Sequence, residues 1–240
     1  MGTKKRPLDK KRDEPQIRSK KRVADHGEVW TSDREVKAMC DLVESETERI
    51  DSRFLEPACG HGNFLEEILK RKLKIVKKNY RADHYRFELY AFVAASGLYG
   101  IDILEDNVAE CRKRLFKVWD RSYTNFMKTS GEEPDESVRN AVSYIFDKNI
   151  LCGDALTLLK NDNTPIIFSE WSVISQSKRL VKRRDFELSE LMEQNTPARH
   201  RNQKSLAGFG SADEESFRIP EPVKLCEYDA VDFRRVTEYA

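Results

Sequence analysis

The sequence predicts an α/β protein built on a doubly wound parallel sheet, and three observations predict it. Short apolar runs that indicate buried strands occur at residues 53–56, 96–103 and 149–152. The first two runs are followed by segments with apolar residues every three or four positions, which is the pattern of a helix with one buried face. Each run also ends beside a glycine or an acidic residue, where sheets of this kind bind ligands.

The length and the charge distribution suggest three regions. The 240 residues suffice for one main domain with a sizeable core, which we expect at residues 26–194. Residues 1–22 carry ten Lys or Arg against three acids, so residues 1–25 are expected to be a basic flexible arm. Such an arm either solvates the chain or contacts nucleic-acid phosphates. Residues 195–240 mix polar residues without periodicity, which predicts a loop-rich tail.

Cysteine usage and hydropathy indicate an intracellular setting. The five cysteines are widely spaced and form no C-x-x-C pair, so we expect neither a disulfide framework nor a metal site. No apolar run approaches the roughly 20 residues that a bilayer-spanning helix needs. The basic amino terminus lacks the apolar core of a secretion signal. The sequence therefore predicts a cytoplasmic protein without membrane contact.

The elements follow in order from residue 32. A helix capped by Ser32 or Asp33 is expected first, and the strand at residues 53–56 comes next. A loop with two glycines leads into a helix from Asn63 to about Lys72. Residues 74–94 contain five aromatic side chains and predict a helix on one face of the sheet, with base stacking as the alternative.

The second half of the domain is less regular. After the strand at residues 96–103, apolar spacing predicts a helix over residues 107–119. Residues 120–140 are polar and predict an exposed insertion. A fourth strand is expected at residues 165–168, and residues 185–192 are expected to form a helix.

The loop after the first strand carries the strongest functional signal. Gly60 and Gly62 permit positive φ angles and a close approach of the backbone to a ligand. Asp102 and Asp154 follow the second and third strands, so their carboxylates are expected at the same edge of the sheet. There one carboxylate can accept two hydrogen bonds from a ribose diol, and the other can accept one from an adenine amine. The pattern favours a cofactor that contains adenosine.

The sequence E-P-A-C-G-H-G-N-F-L at residues 56–65 resembles the first motif of S-adenosylmethionine (SAM) dependent DNA methyltransferases, particularly the adenine-specific enzymes of restriction-modification systems. The resemblance implies a Rossmann-like fold with a helical amino-terminal segment. It implies that Asp102 holds the ribose and Asp154 the adenine. Residues 26–32 resemble the segment that closes over the methionine end, where Thr31 would bond the carboxylate. The implied cofactor-binding residues are Thr31, Glu56, Ala58, Cys59, Gly60, Gly62, Asn63, Phe64, Asp102, Ile103, Asp154 and Ala155.

The catalytic motif of that family is not reproduced. Its members place a polar residue, two prolines and an aromatic residue after the fourth strand, whereas this chain has Ser169-Glu170-Trp171. Ser169 would replace the first polar residue, Glu170 would accept an amine hydrogen, and Trp171 would stack on a flipped base. The alternative is that the three residues form only a turn at the end of a strand.

Several functions remain open from the sequence. The leading expectation is methyl transfer from SAM to an adenine amine in DNA, with a partner chain supplying target recognition or the missing part of an incomplete sheet. Only about 70 residues follow the fourth strand, which favours such a partner. The alternatives are a non-catalytic or partner-dependent SAM-binding subunit, a methyltransferase acting on RNA or protein, and a basic DNA-binding adaptor without a cofactor.

Overall fold

The computed structural model of the chain describes residues 22, 31–194 and 224–239. It is a mixed α/β structure in which helices pack around a three-stranded parallel sheet and an antiparallel sheet adjoins them. The helices are α1 (Asp33–Leu42), α2 (Glu44–Thr47), α3 (Asn63–Asn79), α4 (His84–Ser96), α5 (Glu105–Ser130), α6 (Glu136–Asn149) and α7 (Leu188–Gln194), with a 3₁₀ helix at Phe233–Tyr239. The strands are β1 (Phe54–Glu56), β2 (Leu98–Asp102), β3 (Ile150–Cys152), β4 (Ile167–Ser175), β5 (Leu180–Glu187), β6 (Cys226–Glu227) and β7 (Val231–Asp232).

The parallel sheet has the order β1–β2–β3, so β2 is its central strand. Glu56 lies beside Gly100, and Asp102 lies beside Cys152. This register brings the carboxyl ends of all three strands to one edge of the sheet. The three strands expected from the sequence are confirmed, and their order along the chain is also their order in space.

The two faces of the central strand are covered differently. A Cβ added at Gly100 would lie 3.0 Å from the Leu65 side chain, so α3 packs closely on that face. On the opposite face, Tyr99 and Ile101 pack with Phe168 and Leu188 in a smaller apolar cluster. The sheet is therefore buried on both sides, which explains why its strands are continuous apolar runs.

The helical layers extend further than the sequence pattern indicated. The helix expected at residues 107–119 continues to Ser130, so α5 occupies residues 120–130 of the predicted insertion at residues 120–140, and α6 occupies residues 136–140. That prediction was wrong, because the loop there comprises only residues 131–135. The buried face of α6 joins the main core through Val138, Ala141, Val142, Ile145 and Phe146.

The second sheet corrects two further expectations. The fourth strand runs over Ile167–Ser175 instead of residues 165–168, and it forms an antiparallel hairpin with β5. Residues 180–187, part of which was expected to be helical, form that second strand, and α7 begins only at Leu188. The charged residues Arg183 and Asp185 lie on the buried side of β5 and pair with each other at 2.7 Å. The pairing lowers the free-energy cost of burying the two charges. Because charged residues occupy these buried positions, hydropathy did not predict the strand.

The terminal regions are described only in part. Of the predicted basic arm at residues 1–25, the structure describes Arg22 alone, whose guanidinium bonds Asp106 and Asn107 at the start of α5. Within the predicted tail at residues 195–240, β6 and β7 add to β5. Across residues 31–194 and 224–239, no helix combines the length and apolar composition required to cross a membrane.

Candidate functional site

A cleft of about 500 Å³ lies at the carboxyl edge of the parallel sheet. It is lined by loops that follow β1, β2 and β3 and by the segment before α1. Eleven of the twelve predicted cofactor residues line it, and the twelfth, Gly62, lies in the same loop. Those eleven are Thr31, Glu56, Ala58, Cys59, Gly60, Asn63, Phe64, Asp102, Ile103, Asp154 and Ala155.

The glycine loop turns sharply between β1 and α3. Gly60 and Gly62 adopt φ angles of 49° and 81°, in the left-handed region that side chains disfavour. A Cβ added at Gly62 would lie 2.5 Å from Cys111 Sγ, whereas one at Gly60 would meet no atom within 4 Å. Gly62 is therefore required by both the backbone angle and the packing, and Gly60 by the angle alone.

Asp102 holds two of the loops together. Its Oδ2 accepts a hydrogen bond from the Gly60 N–H at 2.9 Å. Its Oδ1 accepts from the Leu104 N–H at 2.9 Å and from Asn107 Nδ2 at 3.1 Å. A carboxylate has about four acceptor positions, so the protein uses three and leaves about one for a ligand. The sequence-based expectation of two bonds to a ribose diol therefore exceeds what this carboxylate offers.

The segment before α1 is tied to the glycine loop through Asn63. Asn63 Nδ2 donates to the Thr31 carbonyl O at 3.1 Å, and its Oδ1 accepts from Arg114 at 2.8 Å. Arg114 also bonds the His61 carbonyl O at 3.0 Å and pairs with Glu66 at 2.7 Å. This chain of contacts places Thr31 on one wall of the cleft, as the sequence predicted.

The lining of the cleft contains both acidic and apolar side chains. Glu56 is half-buried, and burial raises the pKa of its carboxyl group above the ordinary value. Asp154 uses its Oδ1 to accept from the Leu156 N–H at 2.8 Å. The apolar side chains of Ile103 and Leu156 also line the cleft, and 47% and 94% of their surfaces are exposed. One region of the cleft thus suits a cation, and another suits a flat apolar ring.

The thiol of Cys59, which lines the cleft, is poorly suited to act as a nucleophile. Cys59 is buried, and its hydrogen bond with the Cys111 thiol raises its pKa, as does burial itself. A thiol with a raised pKa carries little of the reactive thiolate. Within the part of the chain that the structure describes, no three His, Cys, Asp or Glu side chains cluster as metal ligands.

Ser169 and Glu170, which were predicted to act on the methyl acceptor, lie outside the cleft. Both are buried in β4, so the alternative of a turn at the end of a strand is wrong. The Ser169 hydroxyl donates to Asp185 at 2.8 Å. Glu170 pairs with Arg184 at 2.9 Å and with Arg53. The polar groups of both residues are thus engaged within the protein.

Trp171, predicted to stack on a base, is a core residue in this structure. Only 8% of its surface is exposed, and its ring packs edge-on against Phe92 and Tyr144 at centroid distances of 6.0 and 6.1 Å. It borders a separate cavity of about 320 Å³, which shares no lining residue with the cleft. The structure therefore brings the predicted cofactor-binding residues together and does not bring the predicted catalytic residues to them.

Five residues that line the cleft were not predicted as cofactor-binding residues: Pro57, His61, Leu104, Asn107 and Leu156. Pro57 and His61 lie inside the motif at residues 56–65, so they could have been predicted to line the cleft from their position in the sequence. Leu104 and Leu156 each follow a predicted residue by one position and extend the same loops. Asn107 gave no signal, because its role depends on the first turn of α5 carrying it to Asp102.

Comparisons of the chain with known protein families, curated proteins and solved structures found no match. The chemistry of the cleft therefore rests on its own residues. It combines a glycine turn before a helix, a carboxyl group in a partly buried position, and apolar side chains around a pocket of about 500 Å³. Pockets for small molecules and cofactors commonly have such a size and composition.

Proposed function

We propose that this chain has a Rossmann-like methyltransferase fold and binds SAM in the cleft at the carboxyl edge of the parallel sheet. One observation carries the proposal. The motif at residues 56–65, Thr31, Asp102 and Asp154 are distant in the sequence, yet all of them line one pocket. Convergence of four independently predicted segments supports the resemblance beyond the motif itself.

The charge pattern of the cleft fits the two ends of SAM. Glu56 offers a carboxylate to the ammonium group of the methionine part, and the Thr31 hydroxyl can donate to its carboxylate. The amino end of α3 adds partial positive charge beside that carboxylate. At the other end, Ile103 and Leu156 can enclose the adenine ring while Asp154 accepts from its amine. Asp102 would accept one ribose hydroxyl.

The bound cofactor supplies an electrophilic methyl group on a sulfonium. The residues of this chain act by position: they hold the cofactor along the strand ends, and the loop at Gly60 keeps side chains away from it. The proposed acceptor is an adenine amine in DNA. This choice rests on the resemblance of residues 56–65 to the first motif of adenine-specific DNA methyltransferases and on the basic arm at residues 1–25.

A second candidate has its own support. Ser169, Glu170 and Trp171 lie in the core and not at the cleft, so no predicted base-binding residue stands beside the proposed methyl donor. This arrangement favours a SAM-binding subunit in which a partner chain positions the acceptor base. Both candidates share the same cofactor site and differ in whether the chain transfers methyl groups alone.

Two measurements test the proposal. Calorimetric titration with SAM and with S-adenosylhomocysteine should show one site per chain, and absence of binding to both would dismiss the cofactor assignment. Transfer of labelled methyl from SAM to unmethylated DNA, with RNA and protein as parallel substrates, then separates the two candidates. Transfer by the chain alone supports the enzyme, whereas binding without transfer supports the subunit.

A further inference from the structure

The two long helices that start at the cleft carry an unusual distribution of ion pairs. As far as Arg71 in α3 and Arg114 in α5, every exposed or half-exposed cation of these helices has an acidic partner. The pairs are Lys70 with Glu66, Arg71 with Glu67, Arg112 with Asp147, Lys113 with Glu110 and Arg114 with Glu66. Neutral pairing is therefore the rule in this part of the surface.

Farther along the two helices, from Lys74 in α3 and from Lys117 in α5, that rule fails. Seven cations there are exposed, and none has an ion pair among the residues that the structure describes. They are Lys74, Lys77, Lys78 and Arg81 on or just after α3, and Lys117, Arg121 and Lys128 on α5. We call this set the basic surface. Residues 73–82 contain no acid, and Asp120, the one acid within residues 114–131, accepts from Arg139 at 2.7 Å.

The carboxyl ends of α3 and α5 lie together in space. They enclose a cavity of about 280 Å³ whose lining includes Lys77, Arg81, His84 and Thr129. His84 Nδ1 lies 3.8 Å from Oε1 of Glu132. Three groups that can carry positive charge thus surround a space large enough for a phosphate group.

The cations on α5 also form a stripe. Lys117, Arg121 and Lys128 are spaced by four and seven positions, so they lie on one side of the helix over about 16 Å. The macrodipole favours cations in the last helical turn, which accounts for Lys77, Lys78 and Lys128. It does not account for Lys74, Lys117 or Arg121. A repeated anion would neutralise the stripe, whereas a single small anion would not.

We propose that the basic surface binds the phosphate backbone of a nucleic acid, with the cavity between α3 and α5 receiving one phosphate. Duplex DNA presents about one charge per 1.7 Å of its axis, which matches an extended stripe of cations. A lipid surface fits less well, since helices that bind lipid also insert apolar side chains. None of the large exposed apolar side chains lies on α3 or α5.

The test measures binding of a labelled 20-base-pair DNA duplex by fluorescence anisotropy at several salt concentrations, without SAM. The surface variant is Lys77→Gln/Arg81→Gln/Lys128→Gln. The control variant is Lys70→Gln/Arg112→Gln/Lys113→Gln, which removes the same charge from paired positions on α3 and α5. Thermal unfolding of both variants checks that each remains folded. Because SAM is absent, the result does not depend on the proposed methyltransferase activity.

The plot of log affinity against log salt should lose about 2 to 3 units of slope in the surface variant, since each phosphate contact contributes about 0.9. The control should keep the parent slope. Equal slopes in the parent and the surface variant would overturn the proposal, and so would an equal loss in the control. Vesicles containing phosphatidylserine form the last arm. Loss of vesicle binding with unchanged DNA binding in the surface variant would identify a lipid partner instead.

Discussion

The backbone N–H of Gly60 donates a hydrogen bond to Oδ2 of Asp102 at 2.9 Å, although 42 positions separate the two residues in the chain. The bond joins the turn after β1 to the end of β2. Through its Oδ1, Asp102 extends the link to the Leu104 N–H and to Asn107 at the start of α5. One carboxylate thus fixes two of the loops that line the cleft.

Replacing Asp102 by alanine should therefore damage both the loops and the ligand site. Three donors lose their acceptor, and we expect the free energy of unfolding to fall by about 2 kcal/mol. The affinity for SAM should fall at least tenfold, measured by calorimetric titration. Asp106→Ala removes an acid from the first turn of α5, outside the cleft lining, and should leave the affinity unchanged. An unaltered affinity in Asp102→Ala would contradict the assignment.

The two glycines of the loop should respond differently to alanine. Gly62→Ala combines an unfavourable φ angle with a clash against Cys111, so we expect a loss of about 3 kcal/mol of stability or more. Gly60→Ala has an unfavourable φ angle but no clash, so it should lower the free energy of unfolding by only about 1 kcal/mol. Adding Cys111→Ala to Gly62→Ala removes the clashing sulfur and should restore part of the melting temperature. If it restores none, the clash is not the cause.

Binding of SAM should weaken in acid because of Glu56. Burial raises the pKa of Glu56, so its carboxyl group is neutral over a wider range of pH than an ordinary glutamate. The ionised form attracts the ammonium group of SAM, and affinity should therefore fall as pH is lowered through that raised pKa. Titrations from pH 4.5 to pH 8 should show this decline in the parent. Glu56→Gln should bind more weakly at pH 8 and show a flatter profile; a parallel decline would remove Glu56 from the site.

Because of Lys72, the free energy of unfolding should depend on pH in the neutral to alkaline range. Its Nζ is fully buried, donates to the Ser52 carbonyl O, and has a pKa that burial lowers to about 7. The ordinary pKa of a lysine is 10.5, so between about pH 7 and 10.5 the unfolded chain binds more protons than the folded chain. The free energy of unfolding should thus rise with pH in that window and be lowest below it.

The variant Lys72→Met tests this dependence. It removes the proton linkage, so its stability relative to the parent should be greatest at pH 6 and should decrease toward pH 10. Each unit of pKa displacement corresponds to about 1.4 kcal/mol, which makes the change large enough for denaturant titration at the two pH values. A constant difference between variant and parent would mean that the buried lysine keeps its proton.

The residues of β4 allow catalysis to be separated from packing. Trp171→Phe keeps an aromatic ring in the core, and Glu170→Gln keeps the shape of the side chain beside Arg53 and Arg184. We expect both variants to lose stability, with methyl transfer per folded molecule unchanged. Activity and melting temperature measured on the same samples decide this. A tenfold fall in turnover without a fall in melting temperature would restore a catalytic role.

The cleft was predictable from the sequence because its signals are local. Glu56 and Asp102 end β1 and β2, Gly60 and Asp154 come shortly after β1 and β3, and the parallel register brings these positions together. The catalytic prediction depended on where β4 ends, and the residues of that strand pack according to partners that are distant in the chain. Ser169 bonds Asp185, for example, which no local pattern reveals.

The missed elements have separate physical causes. In α6, Val138, Ala141, Val142 and Ile145 did carry helical spacing, but the polar residues around Gly131 suggested one long loop. In β5, the buried positions Arg183 and Asp185 are charged, so the alternation of a strand was invisible to hydropathy. Only their mutual pairing, which is a property of the folded chain, explains their burial.

The length of α5 sets a minimum size for a nucleic-acid ligand. Asn107 at its first turn lines the cleft, and Lys128 near its last turn belongs to the basic surface. A helix rises 1.5 Å per residue, so the two positions lie about 32 Å apart along a rigid rod. At 3.4 Å per base pair, a duplex must be about ten base pairs long to reach both. A shorter oligonucleotide would contact either the cleft or the basic surface. The length of α5 would therefore distinguish nucleic-acid ligands by their length.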